Sequence, residues 1–228
     1  MISLRQEMQS YLLALTLLSG ALFAQRVPAT HPVTGRVIAP VMSAAGADWL
    51  ERDVRENEEN PTKAVAELGI KPGMTVCDLG AGTGYYAVRM AKLVGPSGKV
   101  YAVDIQPRML ELLGKKLESA GITNVVPLLG AVTETNLPAG SQDLIILVDV
   151  YHEFSKPQEM LRSIRRSLKE DGQLVLLEFR KEDPAVPIRQ EHKMSVKEVK
   201  AELEPEGFRI DKIVNTLPWQ HMIFLRKK

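Results

Sequence analysis

The sequence predicts an α/β fold, a parallel sheet covered by helices on both faces. Short runs of Val, Ile and Leu recur along the chain. They are nearly continuous rather than alternating, as strands buried on both faces require. Segments with apolar residues at helical spacing separate them, so strand and helix alternate. The first run also breaks into a glycine-rich turn, "VCDLGAGTGYY" (76–86), followed by a helical pattern.

Each element has its own signal. "ADWLERDVRENEE" (47–59) places Trp49, Leu50 and Val54 at helical spacing. Asn60 is a good N-cap before Pro61 at N1, and Gly69 closes that short helix. "MTVCDLG" reads as a strand, "YYAVRMAKLVG" as a helix ending at Gly95, and "KVYAVDI" as the next strand. "QPRMLELLGKKLESAG" is a helix with Met109, Leu110, Leu113 and Leu117 on one stripe. "VVPLLG", "DLIILVDV" and "QLVLLEF" follow as strands, with the helix "PQEMLRSIRRSLKEDG" between the last two. The tail changes rhythm: a helix over "SVKEVKAELEPEG", then strands "FRIDKIVNTL" and "WQHMIFLRK" joined by a turn at Pro218.

Composition narrows the partners. The 228 residues are 45% hydrophobic and 25% charged with a net charge of +1, so bulk electrostatics favour no polyanion. The basic run "RSIRRSLK" (162–169) reads as the wet side of an amphipathic helix, and no nucleic-acid partner is expected. Cys77 is the sole cysteine, which excludes an intramolecular disulfide, and its apolar neighbours make it a core residue. The uncharged run "YLLALTLLSGALFA" (11–24) follows Arg5 and precedes a Pro-rich stretch. It is short for a membrane span and suits a secretory signal. Export to the periplasm or medium is therefore expected, or retention by an uncleaved N-terminal anchor; a true start at Met42 would instead leave the protein cytoplasmic. The chain divides into 1–24 (signal or anchor), 25–59 (linker and N-terminal helix) and one domain over 60–228.

The glycines decide among ligands. A P-loop needs Gly-Lys-Ser/Thr after four spacer residues, and no lysine follows here. A dinucleotide motif would place its third glycine at 85, where the chain has Tyr85. Asp104 ends the second strand, 20 residues past Gly84, where a carboxylate accepts from both hydroxyls of a ribose. Asp78, two residues before Gly80, repels a pyrophosphate but suits an ammonium or sulfonium. S-adenosylmethionine fits best, with a nicotinamide-dependent oxidoreductase as the alternative.

At these residues the sequence resembles the class I S-adenosylmethionine-dependent methyltransferases. "VCDLGAGTG" is similar to their first motif, "VYAVDI" to the second, "DLIILVDVYHEF" to the fourth-strand motif and "LKEDGQLVLLEF" to the next. The likeness runs over roughly residues 60–228 and is strongest to small-molecule, ubiquinone-biosynthesis-like members. It implies a Rossmann-like, doubly wound, mostly parallel sheet of seven strands with the last antiparallel. It also implies a cofactor site of Asp78, Gly80, Ala81, Gly82, Gly84, Asp104 at the ribose, Ile105 beside the adenine, and Asp149 at the methionine end. Many relatives carry an adenine-binding acid after the third strand; "GAVTETN" (130–136) has Ala131 and Val132 there, leaving the backbone at Ala131 for that contact.

Methyl transfer is an in-line displacement, so a protein mainly aligns acceptor, methyl and sulfur. A base is needed only where the acceptor must lose a proton. Within "DVYHEF", His152 and Tyr151 are the catalytic candidates and Glu153 lies beside them; a loop-ordering role for His152 is the alternative. Glu178, Arg180 and His192 share the same rim, where Arg180 and His192 would recognise a polar acceptor, unless Arg180 pairs with Glu182 or Asp183. Trp49, Arg52 and Arg55 are expected as a lid with Trp49 its apolar anchor, or else as a cap on the sheet's flank. Positions 149–152 lack the Asn/Asp-Pro-Pro-aromatic pattern of DNA amine methylation, and no cysteine is placed for cytosine C5 chemistry. No Cys/His cluster occurs at metal-ligand spacing, so no metal is expected. A small-molecule methyl acceptor is the expected partner, and a non-catalytic S-adenosylmethionine-binding protein the remaining rival. The sequence does not set the oligomeric state.

Overall fold

The computed structural model describes residues 29–228. The apolar run at 11–24 lies outside them. The domain is one sheet with strand order β3-β2-β1-β4-β5-β8-β7. Its strands are β1 (Thr75–Leu79), β2 (Lys99–Asp104), β3 (Val125–Leu129), β4 (Gln142–Val148), β5 (Leu168–Arg180), β7 (Phe208–Val214) and β8 (Gln220–Lys227). β1 to β5 pair in parallel, and β8 runs antiparallel to both β5 and β7. This is the doubly wound sheet with an antiparallel last strand, with one addition: the two-residue β6 (Lys193–Met194) pairs with the end of β5.

Strand residues alternate between two cores. Val76, Ile146, Val175 and Leu177 face one side, where α3 (Pro61–Glu67), α4 (Tyr85–Val94) and α5 (Pro107–Ala120) pack. Cys77, Ile145, Leu147 and Leu176 face the other, under α6 (Pro157–Ser167) and α7 (Val196–Leu203). Each fully buried Leu or Ile contributes about 1.5–3 kcal/mol by leaving water. Cys77 is fully buried as expected, and burial pushes its thiol well above the usual range, so it stays an inert core residue.

Local signals set most helix ends. Asn60 takes a left-handed φ of 51° and accepts the Lys63 N–H at 3.0 Å, with Pro61 opening α3. Ser195 and Glu198 form a reciprocal capping box on α7. Two helices differ from expectation. The 47–59 segment splits into α1 (Ala47–Leu50) and α2 (Arg55–Glu58), and the Leu50 carbonyl accepts from the Arg55 side chain. α6 stops at Ser167 rather than near Gly172. Leu168 turns extended (ψ 140°), buries completely, and pairs with Gln142 at the start of β4.

The strand order reverses at β1, which lies between β2 and β4. Loops leaving the carboxyl ends of these neighbours diverge to opposite faces and open a crevice there. Gly84 fixes how tightly the first loop closes: its φ is +80°, and a Cβ there would stand 2.3 Å from Leu113 Cδ1 of α5. Gly84, not residue 85, therefore supplies the close helix packing. Gly84→Ala should lower unfolding free energy by about 2–4 kcal/mol, combining overpacking with the left-handed cost. Urea titration checks this, and the same substitution made in a Leu113→Ala background should cost less than it does in the parent.

Candidate functional site

A cavity of about 690 Å³ fills the crevice beyond the carboxyl ends of β1, β2 and β4. The glycine loop forms its floor with backbone already committed. The Gly80 and Ala81 N–H groups donate to Val103 O at 2.7 and 2.9 Å, and Gly84 N–H donates to Ala81 O at 2.8 Å. Gly82 N–H donates to Asp104 Oδ2 at 2.8 Å. None of these four amides is left to cradle a pyrophosphate, which removes the physical basis of a dinucleotide site. The missing side chains serve approach instead. A Cβ on Gly80 would lie 2.5 Å from Val150, and one on Gly82 would lie 2.7 Å from Leu50 Cδ1.

Asp104 also accepts the Gln106 N–H at 2.8 Å, and burial pushes its carboxyl above the usual range. Ile105 is exposed into the cavity beside it, and Ala131 lines the same end with its N–H bonded to Glu134 O at 2.8 Å. A partly polar, partly apolar wall of this kind accommodates a nucleoside.

The opposite end concentrates buried charge. Arg55 Nε bonds Glu59 Oε2 at 2.6 Å, its Nη1 donates to Leu50 O at 2.9 Å, and its guanidinium lies 4.3 Å from the Tyr85 ring centroid. Arg52 pairs with Glu59 and with Glu58. Asp149, at a left-handed φ of 54°, accepts from Gln220 Nε2 at 2.7 Å. Burial pushes the Asp149 carboxyl well above the carboxylate range, reinforced by Glu59 and Glu178 and opposed by Arg55. Asp78 is raised to about 7, again by burial, against the Ala87 N–H and Arg55. Buried carboxylates here exceed the buried cations available to them, and the remainder is chemistry for a cationic ligand.

A histidine pair occupies the third wall. His152 Nδ1 lies 2.6 Å from Glu178 Oε2, and its Nε2 lies 3.1 Å from His192 Nδ1. In the tautomer that donates Nδ1–H to Glu178, Nε2 accepts from His192. Burial raises the Glu153 carboxyl to about 7, while burial and the neighbouring His152 lower His192, which favours its neutral form.

The N-terminal arm closes over this wall. Arg36 forms a buried fork to Glu202, with Nε 2.9 Å from Oε1, and its Nη1 donates to His152 O at 3.0 Å. His31 Nε2 lies 3.3 Å from the same carboxylate. The Ala39 N–H donates to His152 O, and Gln106 bridges Met42 O and the Ala44 N–H, so Pro40, Val41 and Met42 line the cavity.

Of the residues expected from sequence, Gly80, Gly82, Asp104, Ile105, Ala131, Asp149, His152, Glu153, His192 and Trp49 come together around this cavity. Asp78 and Ala81 are buried behind the glycine loop, and Gly84 faces α5. Tyr151 is corrected: it is fully buried among Phe154 and Arg36, 5.4 Å from the guanidinium, and does not reach the cavity. Arg180 is corrected likewise. It donates to Leu217, Pro218 and Gln220 carbonyls and lies 3.6 Å from Asp183, so it staples the β8 turn instead of facing an acceptor. In the N-terminal segment Leu50, not Trp49, is the anchor: Trp49 is 42% exposed with Arg52 stacked on it at 3.5 Å, while Leu50 seats on Gly82. Sequence reasoning missed Arg36, Glu59, Glu202 and Gln220. Each is a charged or amide residue whose partner is brought by the fold, and no spacing marks it.

Comparisons with known proteins agree on the class. A family model described as a methyltransferase domain matches residues 70–220. A crystal structure of an S-adenosylmethionine-dependent methyltransferase from Aquifex aeolicus is 30% identical, covers 81% of this chain and 98% of its own, and superposes with a TM-score of 0.76. The chain therefore belongs to the S-adenosylmethionine-dependent methyltransferases, and S-adenosylmethionine is its cofactor. More particularly, it is 35% identical over 114 residues to the ubiquinone/menaquinone biosynthesis C-methyltransferase UbiE of Pasteurella multocida, covering 50% of this chain and 42% of that protein. The chain spans less than half the length of that curated relative. A TehB-like methyltransferase from Corynebacterium glutamicum, 13% identical with a TM-score of 0.60 over 81% of this chain and 98% of that one, shares the fold.

The expected export or membrane anchoring is corrected by the curated relatives, which are named as enzymes of ubiquinone and menaquinone biosynthesis and lend neither destination support. Among the described residues no helix is long and apolar enough to cross a membrane, and the run at 11–24 lies outside them.

The raised Asp78 carboxyl has a sign that can be read. A carboxyl near 7 in the folded chain and near 3.8 unfolded binds more protons folded, so its contribution is full below about pH 4 and is lost as pH rises through about 7. Asp78→Asn should therefore make the ligand-free protein more stable than the parent by about 2–4 kcal/mol at pH 8. The gap should close toward pH 4 when unfolding curves are compared across pH.

Proposed function

We propose that the chain transfers a methyl group from S-adenosylmethionine to a small-molecule acceptor bound in the cavity, with His152 at the acceptor end. The observation that carries this reading is the shortage of cations around Asp149 and Asp78, at the far end from the nucleoside-sized wall of Asp104 and Ile105. One ligand with a ribose at one end and an ammonium beside a sulfonium at the other satisfies both. The bound cofactor supplies an activated methyl and its own leaving group. The residues of the chain then bind and orient. Asp104 takes the ribose hydroxyls, exchanging some of its hold on Gly82 and Gln106. Asp149, kept in place by Gln220, faces the ammonium. Ile105 and Ala131 flank the adenine. The arm, with Leu50 and Met42, is the lid that limits water over the reacting atoms.

His152 is the activating group in this reading. Glu178 is fully buried and fixes the imidazole with Nε2 toward the cavity, the geometry of an oriented base. The quinone substrates in the relative's name do not come over to this chain with the domain, since so much of that protein is unmatched. The acceptor is left at its chemistry: a molecule small enough for the cavity, whose lining includes Ile188 and Arg189.

Two results test the reading. Asp104→Ala should weaken S-adenosylmethionine binding by about 1.5–3 kcal/mol, the scale of a lost charged acceptor. Isothermal calorimetry measures it, and tight NAD binding without a response to S-adenosylmethionine would overturn the assignment. Because the ligand is cationic, binding should lower the Asp78 carboxyl and release protons near pH 7. Affinity should then rise as pH increases through about 7, and the apparent enthalpy should change with buffer ionisation enthalpy.

A further inference from the structure

We propose that His152 Nε2, His192 Nδ1 and the Glu153 carboxylate form a site for one first-row divalent cation of zinc-like preference, placed in the acceptor end of the cavity. The three ligand atoms lie within 4.8 Å of one another, and all three residues line the cavity. The two nitrogens are 3.1 Å apart. Two nitrogens sharing a cation at about 2.0–2.1 Å stand about 2.9–3.4 Å apart, from octahedral to tetrahedral geometry. The imidazole planes are nearly perpendicular, at 85°, so each ring can aim a lone pair at a common point without stacking.

The surroundings favour a ligand set over a plain hydrogen bond. Glu178 grips His152 Nδ1 at 2.6 Å from a fully buried position. That is the carboxylate–histidine–metal arrangement, which fixes the tautomer and raises the basicity of the free nitrogen. The backbone is pinned as well, since Arg36 and Ala39 both donate to His152 O. To ligate, His192 moves its proton from Nδ1 to Nε2 and turns so that both lone pairs converge beside the line joining the two nitrogens. Two histidines and one carboxylate leave at least one coordination position open, on the cavity side, as catalytic sites do. An acceptor carrying a hydroxyl, enol or thiol is the class that completes it, because a divalent cation lowers the pKa of such a group at neutral pH. No sequence spacing announces the site: His152 and His192 are 40 positions apart and meet through β5 and β6.

This inference rests on the methyl-transfer reading, because it replaces direct proton abstraction by His152 with activation of the acceptor at a cation. The test uses the full chain, stripped with chelator, and Co²⁺ or Zn²⁺ alone as the probe. Calorimetry should show one Zn²⁺ per chain. Co²⁺ should give visible d–d absorption of a four- or five-coordinate nitrogen/oxygen site, and Mg²⁺ should not compete. His192→Ala and Glu153→Gln should each weaken Co²⁺ binding at least tenfold, while His192→Asp, which keeps a ligand atom, should recover much of it. Circular dichroism and S-adenosylmethionine binding are measured on every variant. Absence of stoichiometric Co²⁺ or Zn²⁺ binding, or binding unchanged in the folded variants, overturns the metal site and leaves methyl transfer standing if S-adenosylmethionine still binds. Loss of S-adenosylmethionine binding in the parent would overturn the methyl-transfer reading instead.

Discussion

Arg55 is the single buried cation among Glu59, Asp149 and Asp78 at one end of the cavity, and much of the site depends on that imbalance. Burying a carboxylate is costly, and the protein meets the cost in different ways. Glu59 gets two guanidinium groups, Arg55 and Arg52. Asp149 gets only an amide from Gln220, and Asp78 a backbone N–H. The last two are left with carboxyls raised toward neutrality, energetically unfavourable in the ligand-free chain and suited to a cationic partner. Such burial costs stability in the ligand-free chain, a cost that a bound cation would lower.

The sheet was largely legible because its signals are local. Continuous apolar strands, Asn60 before Pro61, and the Ser195–Glu198 cap each depend on neighbours within a few residues. The two misplaced helix ends show where that logic stops. α6 ends at Ser167 because Leu168 finds a deeper place in the core and a pairing partner in Gln142, a long-range gain that helical periodicity does not register. The 47–59 segment has a clear helical stripe, but the chain leaves the helix between Leu50 and Arg55, where the Leu50 carbonyl bonds the Arg55 guanidinium.

The crevice was legible from the strand ends, and its histidine wall much less so. Gly80, Gly82, Asp104 and Asp149 sit at strand ends, so their position in the crevice follows from the fold. Tyr151 and His152 are adjacent, and on the 3₁₀ turn over Tyr151–Glu153 their side chains leave in different directions, one into the core beside Arg36 and one to the cavity. Sequence could not choose between them. Nor could it find His192 as the neighbour of His152, since β6 brings it there by pairing with Phe179 and Arg180.

The N-terminal arm turns this wall into a coupled unit. Glu202 on α7 accepts from Arg36, Arg36 donates to His152 O, and His152 bonds both Glu178 on β5 and His192. Removing one partner from such a network leaves another charge buried without compensation, a cost of about 3–5 kcal/mol, so the arm does not detach piecemeal. Further along, Met42 and Ala44 are held through one glutamine side chain, and Leu50 rests on Gly82 with its carbonyl accepting from Arg55. The arm is thus tied at one end to the His152 backbone and at the other to the buried Arg55–Glu59 pair, so it joins the two charged walls of the cavity.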